Sequence, residues 1–147
     1  AGYSGTPLVK KLGIKEGAAV LLVSPPEDFL ETLGSLPADA EIVSPRSRES
    51  LDVVLLFANS QKKLSQEFSR LAARLKPAGG LWVCWPKKAS GVPTDLTEDV
   101  IREVGLAAGL VDNKVCAVDE TWSGLRFVIR LADRKKQELL DAPAGRN

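Results

Sequence analysis

Two lysines, a serine and a glycine fall together in Lys87-Lys88-Ala89-Ser90-Gly91, directly behind the apolar run Leu81-Trp82-Val83-Cys84-Trp85 and its stop, Pro86. Ammonium groups, a hydroxyl and a small turn ahead of a helix start suit a phosphate or carboxylate, because each supplies positive charge or a hydrogen-bond donor. Lys87, Lys88 and Ser90 are therefore candidate ligands for an anion; the plainer reading is a solvated loop whose lysines close a strand edge. Asn59 follows a second apolar run, Leu51 to Phe57, and Glu27 follows a third, Ala18 to Val23. A carboxylate at Glu27 suits a sulfonium or ammonium group. Trp122 stands in the polar stretch Asp119-Glu120-Thr121-Trp122-Ser123-Gly124. A large aromatic at a loop margin covers a pocket or an interface. Asp119 and Glu120 can transfer protons, although a hairpin turn accounts for them without a second convergent group. Trp85 reads as a plug of the core, and Arg46 and Arg48 belong to a polar loop.

Other chemistry is excluded. The chain has no histidine, which rules out Ser-His-Asp and Cys-His catalysis and histidine metal sites. Its two cysteines, Cys84 and Cys116, are too few for a four-thiolate zinc site, and each lies in an apolar strand pattern that suits a small buried residue. A formal net charge of +1 predicts no nucleic-acid partner. No run approaches the roughly 20 apolar residues that span a bilayer, so no membrane partner is expected. Ala1-Gly2-Tyr3-Ser4-Gly5 lacks a basic region followed by an apolar one, from which a cytoplasmic home is expected. The absence of Met is read as loss of the initiator before Ala1.

These residues need a scaffold, and its elements are legible as patterns. Thr6 and Pro7 open a short helix that Gly13 ends. Residues 18–23 form a strand covered on both faces. A short helix, 27–33, stops at Gly34, and 40–43 is a second strand. Residues 51–57 form the clearest strand. Ser60 caps a helix whose buried face carries Leu64, Phe68, Leu71, Ala72 and Leu75. Lys76-Pro77-Ala78-Gly79-Gly80 breaks the chain before the strand 81–85. Thr97 caps a helix that ends at Gly109. Residues 110–118 extend, Trp122-Ser123-Gly124 turns, and 125–131 returns. The predicted fold is α/β, a three-layer Rossmann-like mostly parallel sheet of about six strands with a C-terminal antiparallel hairpin. Residues 1–132 are expected as one domain, followed by a polar helix and a frayed tail over 133–147. Ligands of such sheets sit beyond the carboxyl ends of the strands, so Ser24 to Glu27, Asn59 and Lys87 to Gly91 should share one rim.

The order of these elements, with Leu12-Gly13-Ile14-Lys15-Glu16-Gly17 before the first strand, Asp52 opening a later one and Leu75-Lys76-Pro77 with Gly79-Gly80, resembles class I S-adenosylmethionine-dependent methyltransferases. The resemblance implies that one strand–helix unit is missing between Val43 and Asp52. It also implies a cofactor site after the first strand, where the chain departs from the pattern. Ser24-Pro25-Pro26-Glu27 replaces the expected glycines, and proline offers no amide hydrogen. The acid that holds the ribose falls on Ser44. No cofactor is therefore expected. More closely, Gly2-Tyr3-Ser4-Gly5-Thr6-Pro7-Leu8, Trp85-Pro86-Lys87-Lys88-Ala89-Ser90-Gly91, Thr94-Asp95-Leu96-Thr97-Glu98-Asp99 and Val118 to Gly124 make the chain similar to a small bacterial family known as a domain of unknown function. That resemblance implies no established activity.

The expectation is a non-catalytic, methyltransferase-like domain that binds a partner protein or a small anionic ligand, with a homodimer as a further arrangement. The alternative is an enzyme with a remodelled strand-end site, including methyl transfer from S-adenosylmethionine.

Overall fold

The run Leu51–Phe57, apolar but for Asp52, forms strand β3, and every residue of it except Asp52 is buried. A strand with that pattern must be covered on both faces. The structure, a computed structural model, describes residues 5–140, with side chains to residue 135. The Gly2-Tyr3-Ser4 segment and the tail predicted at 142–147 lie outside the described residues. Strands β1 (Ala19–Val23) and β4 (Leu75–Pro86) flank β3 in parallel, and β2 (Glu41–Ile42) pairs outside β1. Strand β6 (Trp122–Ile129) lies antiparallel between β4 and β5 (Leu110–Ala117). The sheet order is β2-β1-β3-β4-β6-β5, the mostly parallel sheet with an antiparallel hairpin that the patterns predict. Between β2 and β3, residues 43–50 carry no helix or strand, at the place where a unit was expected to be missing.

Helices α1 (Leu8–Lys11) and α2 (Phe29–Leu33) pack on one face with Val20, Val53, Leu55 and Trp82. On the other face, α3 (Gln61–Ala72) and α4 (Glu98–Ala107) cover Leu21, Val54, Leu56 and Val83. Alternate residues of the same strands thus supply two separate cores. Ser60 and Thr97 cap α3 and α4 by accepting the amides of Lys63 and Val100, as their sequence positions predict. Helix α5 (Leu131–Leu140) follows β6 directly. Trp82 is fully buried, and its Nε1 donates to the Leu12 carbonyl at 3.0 Å. Among the described residues, no helix is long and apolar enough to cross a membrane.

Three of the boundaries that differ from the sequence patterns change the packing. The first helix starts at Leu8, with Pro7 at its N-cap rather than inside it. Lys76 to Gly80 does not break the chain but belongs to β4, so Leu75 faces the core from a strand and pairs with Leu51. The pairing register shifts between Leu51 and Val53. Gly79 accommodates that irregularity, since a Cβ there would lie 2.7 Å from the Leu51 carbonyl. Finally, Trp122-Ser123-Gly124 is not the hairpin turn but the start of β6. Asp119 Oδ1 accepts the amides of Thr121 and Trp122, at 2.8 and 2.7 Å, and closes the turn earlier. Gly124 then leaves room for the Trp82 ring, 3.0 Å from where its Cβ would be.

Candidate functional site

Parallel pairing of Val23 with Leu56 and of Phe57 with Cys84 aligns the carboxyl ends of β1, β3 and β4. Ser24 to Glu27, Asn59 and Lys87 therefore share one rim, and Trp122 joins them by pairing with Pro86. Strand order reverses between β1 and β3, the point at which open α/β sheets hold ligands. Here the protein's own contact crosses that crevice. Ser24 has a φ of 54°, a left-handed conformation uncommon outside glycine. Its hydroxyl accepts a hydrogen bond from Lys63 Nζ of α3, which bridges the turn after β1 to the helix after β3. The Pro26 carbonyl accepts the Phe29 amide at 3.0 Å and so starts α2. Below, Phe29 meets Phe57 edge-on at 4.9 Å and Phe57 meets Trp122 at 5.2 Å. Trp122 is half-buried in that stack, and Glu27 is exposed. Ser44 accepts the Arg46 amide within its own turn at 3.1 Å.

The loop after β4 uses its donors internally. The Lys87 amide donates to the Thr121 carbonyl at 2.8 Å. The Lys87 carbonyl accepts the Ser90 amide at 3.0 Å and the Ser90 hydroxyl at 2.7 Å. Ser90 Oγ in turn accepts the Val92 amide at 3.2 Å. What this loop can offer an anion is therefore the ammonium groups of half-buried Lys87 and exposed Lys88. Asn59 is exposed, and its carbonyl accepts the Thr94 hydroxyl at 2.8 Å. Trp85 lies in the core, as expected. Cys84 and Cys116 both stand opposite Gly124, on either side of β6. Two strand spacings of about 4.8 Å separate them, too far for a disulfide. Burial pushes the Cys84 thiol well above its usual pKa, with Cys116 and Asp119 adding to the effect, and burial also raises Cys116. Both are held as thiols, the unreactive form.

A cavity of about 560 Å³ opens at the opposite end of the sheet, where the parallel strands begin. The segment from Lys11 to Ala18 walls one side, with Asp52 and Lys76 at the starts of β3 and β4, and Lys114 and Arg126 on the hairpin. Asp52 Oδ2 accepts the Ala19 amide at 2.8 Å and Lys76 Nζ at 2.9 Å. Lys114 Nζ donates to the Lys11 carbonyl at 3.0 Å. Sequence reasoning missed this group. Lys10, Lys11 and Lys15 stand close together in the chain, but nothing in their spacing shows that the hairpin brings Lys114 and Arg126 to them.

Solved structures with this arrangement include an S-adenosylmethionine-dependent methyltransferase from Aquifex aeolicus, at a TM-score of 0.55 and 15% identity over 88% of this chain and 91% of that one. The magnesium protoporphyrin IX methyltransferase of Synechocystis, with bound S-adenosylmethionine, gives a TM-score of 0.51 at 12% identity over 84% of this chain and 74% of that one. A methyltransferase from Pyrococcus furiosus gives 0.52 at 14% identity, over 82% and 78%. At such identities the likeness shows the fold, a Rossmann-like, methyltransferase-like α/β sheet. No curated protein sequence matches this one. Residues 9–131, which include all six strands, match the family described as "Protein of unknown function (DUF3052)", and the chain belongs to that family.

Proposed function

We propose that the chain is a non-catalytic domain, a methyltransferase-like scaffold that recognises a small anionic ligand or a partner protein by binding alone. The observation that carries this reading is the Lys63–Ser24 bridge across the crevice between β1 and β3. Prolines stand at 25 and 26, and the rings of Phe29, Phe57 and Trp122 stack beneath. A nucleoside cofactor needs bare backbone to approach and a carboxylate for its ribose. Here it would have to break the Lys63–Ser24 contact and would find Ser44 where the acid should be. The topology itself does not stand in the way, since the Synechocystis protein of similar fold carries S-adenosylmethionine. The difference lies in the residues of the crevice. Catalytic groups are also scarce: the chain has no histidine, and its thiols are held protonated by burial. Lys87, Lys88, Asn59, Glu27 and Trp122 then form a recognition rim, and Ser90 shapes its loop through Lys87 and Val92. The lysines give it positive charge and Trp122 a half-buried aromatic anchor.

Calorimetric titration with S-adenosylmethionine and S-adenosylhomocysteine tests this reading. The expected result is no saturable heat with either. Micromolar binding of either one overturns it in favour of an enzyme with a remodelled strand-end site.

A further inference from the structure

Lys11, Lys15, Lys76, Lys114 and Arg126 converge on the cavity at the amino end of the sheet. Glu16 and Asp52 share the lining and leave three positive charges in excess. Asp52 is already satisfied by the Ala19 amide and Lys76. Among the described residues, none of the other four cations is in an ion pair. Arg102 makes the contrast. It meets Glu98 at 2.6 Å, Asp112 at 3.0 Å and Asp99 at 3.2 Å. Arg126 has the Asn113 side-chain oxygen at 3.4 Å and no carboxylate.

The register of the sheet forces this crowding. Trp82, Arg126 and Lys114 stand opposite one another across β4, β6 and β5, so their side chains share a face. Like charges directly opposed on paired strands repel. Burial, and then the charge of Arg134, lowers the pKa of Arg126, although a guanidinium stays charged in proteins. The half-buried Arg126 side chain also occupies the space that a side chain at Gly80 would need, since a Cβ there would come within 2.4 Å of its Nε. Gly80 thus makes a slot that keeps the guanidinium at the cavity. Unpaired cations held together on one face are relieved by a bound polyanion.

We infer that this cavity binds a small phosphorylated molecule, held by Arg126 and Lys114 on the sheet, by Lys11 at the end of α1 and by Lys15 beyond it. The guanidinium fork matches phosphate oxygens in pairs, and the ammonium groups act as point charges. The exposed Ala78 adds an apolar patch to the lining. The volume of about 560 Å³ falls within the range of small-molecule pockets. The inference rests on reading the chain as an anion binder and places that anion away from the carboxyl-end rim.

Inorganic pyrophosphate titrated calorimetrically into the full chain is the test, at physiological ionic strength so that loose surface pairing is screened. Citrate serves as the carboxylate comparison. Pyrophosphate is expected to bind saturably and more tightly than citrate. Arg126→Gln should weaken it about tenfold or more. Gly80→Ala should also weaken it, because it displaces the guanidinium while keeping the charge. Arg46→Ala combined with Arg48→Ala, at two exposed cations outside the lining, should leave it unchanged, and Lys87→Ala combined with Lys88→Ala tells this cavity from the carboxyl-end rim. The double variant Lys15→Ala with Lys114→Ala alters only exposed side chains, and it decides the matter if Arg126→Gln fails to fold. No pyrophosphate binding by the parent chain overturns the anion reading itself. Binding that survives every cavity variant, or that is lost with Lys87 and Lys88, overturns this site alone. Tighter binding of citrate overturns the phosphoryl assignment.

Discussion

Ser24 and Arg126 carry most of what is informative about this molecule. Ser24 holds a left-handed backbone and spends its hydroxyl on Lys63, so a turn expected to receive a ligand is occupied by the protein's own contact. Arg126 is the reverse case, a half-buried cation with no carboxylate. Cys84 belongs at this scale too, and it sets the response to alkali. Its folded pKa is raised by burial, so the protonated thiol favours the fold. That contribution is full below the unfolded value near 8.5 and is lost as pH rises towards the folded value. Stability should therefore fall above about pH 8.5, with this thiol contributing at most about 1.4 kcal/mol per pH unit. Urea midpoints at neutral and alkaline pH, compared with those of Cys84→Ala, check this. The variant should be weaker at neutral pH but fall less steeply, and parallel curves would contradict the assignment.

Among the elements, the contact between α4 and β6 is set by one missing side chain. A Cβ at Gly105 would lie 2.0 Å from the ring of Phe127, which is buried against Phe68 at 5.2 Å. Gly105→Ala gains about 1 kcal/mol in helix propensity, but overpacking of this kind costs about 1–3 kcal/mol. Both partners are packed, so the overpacking should win, by up to about 2 kcal/mol. Chemical denaturation of the variant measures the sign, and a stabilised protein would refute it. The elements also differ in how far sequence reveals them. Strand β3 and helix α3 are legible because an apolar run and a capping serine act locally. The start of β4 is not, since Pro77-Ala78-Gly79-Gly80 has the look of a break and is held extended by distant pairing, of Leu75 with Leu51 before it and of Gly80 with Val53 and Val128 at its end. The hairpin turn is misplaced for a similar reason. Asp119 closes it before Trp122, and Gly124 answers to Trp82 across the sheet.

For the whole molecule, a shared fold leaves function to the groups grafted on it. The carboxyl-end rim could be read from sequence, because parallel strands must deliver their ends together. The amino-end cavity could not, because the antiparallel hairpin alone returns Lys114 and Arg126 to Lys11. A net charge of +1 hid it further, for the total is nearly balanced while five cations gather at one end. We propose a chain that binds through charge, with the Lys63–Ser24 contact standing across the crevice between β1 and β3. Amide chemical-shift mapping of the full chain, with S-adenosylhomocysteine and pyrophosphate added in turn, tests it most directly. Pyrophosphate should move the amides from Lys11 to Ala18 together with Lys114 and Arg126, while S-adenosylhomocysteine leaves Ser24, Phe29 and Asn59 in place. Saturable shifts at Ser24 and Asn59 on adding S-adenosylhomocysteine would contradict it.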